Sequence, residues 1–458
     1  MRIDKPHTVR RVTLAFALAG LLPGYAGATD GYFADGYGMK SIGMAGATAA
    51  VAQEPFGGAN NPAAMSFLDN QWQLGVSWFR PVRSASRSGS GMANVDGTAR
   101  SESEDFFIPE FGINWKFSPT LALGLTVYGN GGMNTNYPGG QIPAQSACYQ
   151  FNPPNPNGGP PYNLMCGNGN LGVDLTQLIF APYLAWQPVA GQSVGIAPLL
   201  GYQRFKASGM QAFDNPAFST HPGNVTNNGY DDSWGAGVRI GYMGQFTESF
   251  AVGASWSSKI AMGSLDKYRG LFANEGAFDI PSSLLVGVAY RPTPAWLIAV
   301  DFERIFYDDV AAVSNPSAYI GYCAPTQMGG AGLRDYCLGG SSGAGFGWQN
   351  IDVWKIGLQY ALNEAWTLRA GYQHSDSPVR AQDVTFNILA PGIMTNQYSL
   401  GATWKLDTAS EITGALMYAP NATLTGTSLL VGFGLPPTTT ETVEMKQYQL
   451  GIAYSRRF

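Results

Sequence analysis

Two glycine-rich patterns are the places in this chain where residue type and spacing match known chemistry. Gly167-x-Gly169-x-x-Gly172 has the spacing of a dinucleotide phosphate cradle, which requires a strand before it and a helix after it. Here it lies in a Pro/Asn/Gly-rich stretch and runs into a strand-like segment, so it reads as a loop. Gly339-x-Ser341-x-Gly343 has the spacing of a nucleophile elbow but sits among glycines and serines without a strand-to-helix context. A serine hydrolase would also need a general base, and the three histidines are His7, His221 and His374. No catalytic residue is assigned on these grounds, and the chain is read as a non-enzyme without a cofactor. Cys148, Cys166, Cys323 and Cys337 include no Cys-x-x-Cys pair and have no histidine nearby, so no metal site is expected.

A different chemistry is offered by Arg204, Lys206, Arg239, Lys355, Arg369 and Lys405, with Asp301 and Glu303. These charges are read as sharing the strand face of Gly and Gln residues, and so as pointing inward. They could form a salt-bridge network that holds the interior together. Alternatively, one or two of the cations could meet an anionic ligand headgroup.

The elements that must position them are strands with lipid on one side. From Glu441 to Phe458, Tyr448, Leu450, Ile452, Tyr454 and Phe458 share one face, and Gln447, Gln449, Gly451, Ala453 and Ser455 the other. A strand between lipid and a wet lumen has this pattern. It recurs, as in Trp72, Leu74, Val76, Trp78 and in Trp296, Ile298, Val300, Phe302, to a count of fourteen. Charged residues are only 12% of the chain, about half the usual share of a soluble protein. No run approaches the ~18 apolar residues of a membrane helix. The expected fold class is all-β, a membrane-spanning antiparallel barrel of fourteen strands.

Connections alternate in length, with short turns such as Ser118-Pro119 and Asn363-Glu364, and long ones near 83–105, 134–172, 209–230, 263–277, 311–349, 376–393 and 421–440. Outer-membrane barrels put short turns in the periplasm and long loops outside. The cysteines then fall in the second and fifth long loops, facing an oxidising exterior. Of the three possible connectivities, loop-local pairing of Cys148 with Cys166 and of Cys323 with Cys337 is expected. Tyr268, Leu271 and Phe272 in the fourth loop are candidates for an exposed apolar capture patch.

Residues 1–28 read as a secretory signal, with Arg2, Lys5, Arg10 and Arg11 before an apolar core from Val12 to Leu22 and a cleavage site at Ala26-Gly27-Ala28. Removing four positive charges and one negative moves the net charge from −5 to −8, which excludes a basic surface for nucleic acid. The expected partners are a hydrophobic small molecule, outer-membrane lipid, and the outer-membrane assembly machinery through the last strand ending at Phe458. A monomer is expected.

The segment from Gly31 to Gly46, reading GYFADGYGMKSIGMAG, precedes Asn60-Asn61-Pro62-Ala63-Ala64-Met65. It resembles the N-terminal hatch of the FadL/TodX family of outer-membrane hydrophobic-compound transporters, which carries an Asn-Pro-Ala signature. The stretches Tyr128 to Asn134, Phe278 to Pro281 and Asn387 to Pro391 are similar to the family as well. The resemblance implies a plug over residues 29–69, with Asn60, Asn61, Pro62 and Ala63 as its motif, inside a barrel over 70–458. It implies a sideways opening at an inward kink of the third strand, here Gly129, Asn130, Gly131 and Gly132, where a plain β-bulge is the alternative. The implied function is passive uptake of long-chain fatty acids or other hydrophobic compounds across a Gram-negative outer membrane, from outer loops to lumen and out laterally. A channel specialised for aromatic hydrocarbons or alkanes is the alternative. A general porin and an outer-membrane lipase are the rivals from other classes.

Overall fold

A computed structural model describes residues 30–153 and 161–458; the expected secretory signal lies outside the described residues. Fourteen strands form the wall: β1 (Gln71–Ser88), β2 (Phe106–Ser118), β3 (Leu121–Asn134), β4 (Gly172–Val189), β5 (Gln192–Ser208), β6 (Asp231–Gln245), β7 (Phe250–Ser257), β8 (Ser282–Thr293), β9 (Trp296–Phe306), β10 (Ile351–Ala361), β11 (Trp366–Ser375), β12 (Asn396–Lys405), β13 (Ser410–Thr427) and β14 (Thr440–Arg457). Each pairs antiparallel with the next, and β14 pairs with β1 from Gln71↔Arg457 to Ser88↔Thr440. The barrel is therefore closed and has the fourteen strands expected from the alternation. Closure satisfies the backbone of a strand in lipid, where no water is available to do so. No helix among the described residues is long and apolar enough to cross a membrane.

Period-two alternation places Leu74, Trp115, Trp186, Leu200, Ile240, Trp354 and Leu450 on the outside, exposed. Gln73, Ser77, Gln177, Gln203, Gln373 and Gln447 lie inside, buried. Two strands outrun their apolar faces. β1 continues to Ser88 and β13 to Thr427, where connections were expected from 83 and from 421. Their outward residues there, Ser84, Ser86, Ser88, Thr423 and Thr425, are polar because the strands have left the lipid. A bulge between Ala419 and Ala422 shifts the register of β13 at Pro420, a residue that has no N–H to give to a ladder.

The segment before β1 fills the lumen. It contains two single turns, α1 (Met39–Ile42) and α2 (Gly57–Asn60), then a 3-10 stretch Pro62–Phe67, and nearly all of it is buried. The wall accommodates it with glycines paired across neighbouring strands. Gly195 and Gly241 face Asn61 to Ala63, Gly253 and Gly287 face Ala49, and Gly357 and Gly371 face Met44. A Cβ at five of the six would meet that segment's atoms at under 3 Å, and one at Gly287 would strike the Asp301 carboxylate first, so these positions suit a residue without one.

Candidate functional site

The Asn-Pro-Ala turn is held from both sides. Asn61 Nδ2 donates to the carbonyls of Ala49 (2.8 Å) and Tyr242 (2.9 Å), and its Oδ1 accepts from Ala63 N–H (3.1 Å). Pro62 follows at the first position of the 3-10 turn, where its missing N–H costs nothing. Asn60 makes a reciprocal pair with the Tyr37 backbone, accepting its N–H at 3.3 Å and donating to its carbonyl at 3.0 Å. The motif therefore fixes one end of the segment to β6 and folds the other back on itself.

Three strands round the barrel from this turn lies a gap in the wall. The β2–β3 ladder ends at Phe111↔Val127, although β2 stays paired to β1 up to Phe106 and β3 to β4 up to Asn134. Residues 106–110 and 128–134 thus face each other unpaired. Pro109 sits on this free edge, where a residue without an N–H is tolerated. On the other side the β3–β4 register skips Asn130 between Gly129 and Gly131. Gly131 has φ 153°, which favours glycine. Phe33 bridges Gly131, the Ala34 N–H donates to the Asn130 carbonyl (3.2 Å), and Tyr37 Oη donates to Asn130 Oδ1 (3.2 Å). The free edge of β3 is turned inward onto the N-terminal segment. The top of the gap is closed where the Glu102 N–H donates to the Asn136 carbonyl at 2.8 Å.

Two cavities flank Tyr37. One, about 40 Å³, lies against the gap and is lined by Ile108, Pro109, Glu110, Tyr128, Gly129 and Gly131 among others. The second, about 20 Å³, is lined by Asn60, Arg239, Glu303 and Lys355 among others. Both share Ala34, Gly36 and Tyr37, and the Tyr37 and Tyr128 rings lie 4.3 Å apart. A cavity that takes even benzene measures about 150 Å³, so passage of a ligand requires this partition to move.

Of the six candidate cations, three are buried inside. Lys355 Nζ pairs with Glu303 Oε2 at 2.7 Å and donates to the Asp35 carbonyl at 3.2 Å. Arg369 donates to Thr403 Oγ1 (2.7 Å), and Asp301 accepts the Ala49 N–H (2.8 Å). Arg239 donates to the Ala59 carbonyl, to Tyr128 Oη (3.2 Å) and to Ser257 Oγ (2.6 Å), and has no ion pair among the described residues. Arg204 and Lys206 are corrections: they lie on the outward face of β5, the face of Val194, Ile196 and Leu200. Arg204 stacks on Tyr230, 3.6 Å from the ring centroid, and Lys206 lies 3.9 Å from Asp174. The outward face of a strand needs to be apolar only within the lipid, so charge beyond it does not report an inward direction. Lys405 is a second correction: it is exposed at the short-turn end of β12, beside Asp407 and Glu411.

A comparison with curated proteins finds no match. The family described as outer membrane protein transport protein (OMPP1/FadL/TodX) matches residues 162–458, well over half of the chain. The chain belongs to this family. In fold it is similar to the toluene transporter TodX of Pseudomonas putida, 17% identical with a TM-score of 0.64, covering 93% of this chain and 99% of that one. It is similar also to a Pseudomonas aeruginosa FadL homologue, at 14%, 0.65, 93% and 100%, and to the toluene transporter TbuX of Ralstonia pickettii, at 16%, 0.57, 93% and 99%.

The outer loops of this FadL/TodX-family barrel correct a third expectation. Tyr268, Leu271 and Phe272 are buried, not an exposed patch. Tyr268 Oη donates to the Gly229 carbonyl (2.5 Å), Phe272 packs on Phe205 and Phe278, and burial pushes the Tyr268 phenol above its usual range. Long loops with this much apolar surface bury it against one another. The exposed apolar depression is elsewhere: about 650 Å³, lined by Leu429, Val431 and Phe433 with Ala318 and Gly321. The unbroken apolar run from Leu429 to Val431 in a long loop is the signal that could have found it. Lys40, which pairs with Glu411 at 2.5 Å, was also missed, because the segment before β1 has no period from which to read a direction. The two disulfides are Cys148–Cys166 and Cys323–Cys337, one in each of two loops.

Proposed function

We propose that this outer-membrane protein passively takes up long-chain fatty acids or other hydrophobic compounds, and that residues 29–69 act as its hatch. A ligand is captured at the apolar depression around Leu429 to Phe433, enters the lumen, and leaves sideways into the membrane between β2 and β3. The observation that carries this reading is the unpaired gap beside Gly129 to Gly132, backed by a cavity on the lumen side. A sideways route keeps an apolar molecule out of the aqueous periplasm. It also explains why the lumen below is filled: the Asn61-Pro62-Ala63 turn is packed onto the wall.

Gly129 provides the test. A Cβ there would sit 3.4 Å from Ile108 Cγ2, across the gap, so Ala fits and Phe fills the opening. In cells expressing Gly129→Phe, uptake of a labelled hydrophobic compound should fall at least tenfold while the barrel remains heat-modifiable on gels. Normal uptake by the folded variant would refute the lateral route. Arg239, buried with no ion pair among the described residues, lines the inner cavity and is a cation placed to meet a carboxylate. A channel for aromatic hydrocarbons would not need it, and two of the similar structures are described as toluene transporters. Arg239→Gln that impairs fatty-acid uptake but not toluene uptake favours the first class.

A further inference from the structure

The rim of the gap nearer the long loops carries a cation that the wall does not use up. Arg83 lies on the inner face of β1, two inward positions beyond Phe79 of the gap cavity, about 13 Å further along the strand. It is 4% exposed and has no ion pair among the described residues. Its guanidinium donates through Nη2 to the Ser103 carbonyl, while its Nε has no hydrogen-bond partner there. Glu104, the next residue of that loop, is taken by Arg80 (3.0 Å) and Arg100 (2.8 Å). Tyr137 stands close enough to Arg83 for the two to act on each other electrostatically. Its side chain is fully buried, and its Oη has no partner among the described residues either. The backbone beside this pair makes the contact that closes the gap: the Ser101 N–H donates to the Arg83 carbonyl (2.9 Å), and the Glu102 N–H to the Asn136 carbonyl. Two orphaned donors, one of them permanently charged, are therefore buried where the gap ends. Leaving them unpaired is costly, and a carboxylate can accept from both at once.

We infer that Arg83 and Tyr137 form a headgroup site for a carboxylate ligand on its way through the lateral opening. The inference rests on the lateral route of the preceding section and assigns it a cargo class, amphiphiles with one anionic end. Below the pair, Phe79, Phe106 and Ile108 offer apolar surface beside the gap. The outward residues just past Arg83 on the same strand, Ser84, Ser86 and Ser88, are polar, so the pair lies at the level where the lipid ends. A ligand with its carboxylate at Arg83 and its chain along those apolar residues already has the orientation of an amphiphile in the outer half of a bilayer. Its chain can slide out sideways while its charge is still paired. Without the pair, the carboxylate would enter the gap stripped of water and uncompensated, a cost that a neutral alcohol of the same length largely escapes.

The test uses the full-length protein expressed in the outer membrane, with labelled dodecanoate and dodecanol as probes of one chain length and two headgroups. The readout is the ratio of their uptake rates, carboxylate over alcohol. Arg83→Gln should lower this ratio about tenfold and Tyr137→Phe about threefold, the sizes expected of a charged and a neutral hydrogen bond. Arg83→Lys keeps the charge but not the fork, and should give a ratio between those of Arg83→Gln and the unaltered protein. A ratio unchanged or raised in folded, heat-modifiable Arg83→Gln overturns the inference, including where both rates fall together. Should Arg83→Gln fail to fold, Tyr137→Phe decides alone, because it removes only an unpartnered hydroxyl. An unchanged ratio there means that the two donors hold no more than water, and overturns the inference. Gly129→Phe separates the site from the route. If it blocks both probes while Arg83→Gln leaves the ratio alone, only the headgroup site is wrong. If both probes pass it at normal rates, the lateral route fails, and the headgroup site with it.

Discussion

Glu441 collects hydrogen bonds from stretches far apart in the chain. It accepts from Arg87 Nε (2.8 Å) and Nη2 (2.5 Å), from Ser428 Oγ (3.0 Å) and from Thr385 Oγ1, and both charged side chains are fully buried. Removing one member of such a pair leaves the other charge uncompensated, at about 3–5 kcal/mol. Glu441→Ala should therefore loosen the loops at 376–393 and 428–439, seen as new cleavage sites in limited proteolysis, and Glu441→Gln should do so less. Asn61 is the corresponding residue inside the barrel. Asn61→Ala strands the Ala49 and Tyr242 carbonyls and the Ala63 N–H, each at roughly 1–3 kcal/mol if left unsatisfied. Small steady ion currents in planar bilayers, larger than those of the unaltered protein, are the expected outcome.

The strands were legible because lipid imposes apolar residues at every second position, and no other constraint competes along the membrane thickness. Legibility fails where that constraint ends. Arg204 and Lys206 lie just past Leu200 and Tyr202 on the lipid face of β5, so a charge there says nothing about direction. Leu271 and Phe272 look like an exposed patch only when loops are imagined singly; packed together they share a core with Phe205 and Phe278. The β3 kink was readable from Gly129 to Gly132. Its counterpart, the free edge of β2, was marked in the sequence only by Pro109. The loop disulfides act on the same scale. Each closes a loop of 14 to 18 residues, worth about 3 kcal/mol in the chain-entropy view. The double replacement of Cys323 and Cys337 by Ser should expose residues 324–336 to protease and slow uptake at low ligand concentration, without loss of the heat-modifiable barrel.

The whole molecule has one polarity. Its short turns and both ends of the wall, Gln71 and Arg457, lie at one end, and its long loops lie at the other. Protease added to intact cells should cut within the long loops and leave turns such as Ser118 to Thr120 untouched. The paired inner-wall glycines carry a further consequence, for the order in which the molecule is made. Met44, Ala49 and the turn at Asn61 are each seated between two strands of the middle of the chain, and their seats have no spare width. A finished cylinder could not admit that segment afterwards without parting its ladders. Residues 30–69 should therefore be in place before the ladders around them close. The seam between β1 and β14, the longest-range pairing in the barrel, is then the join expected to close last.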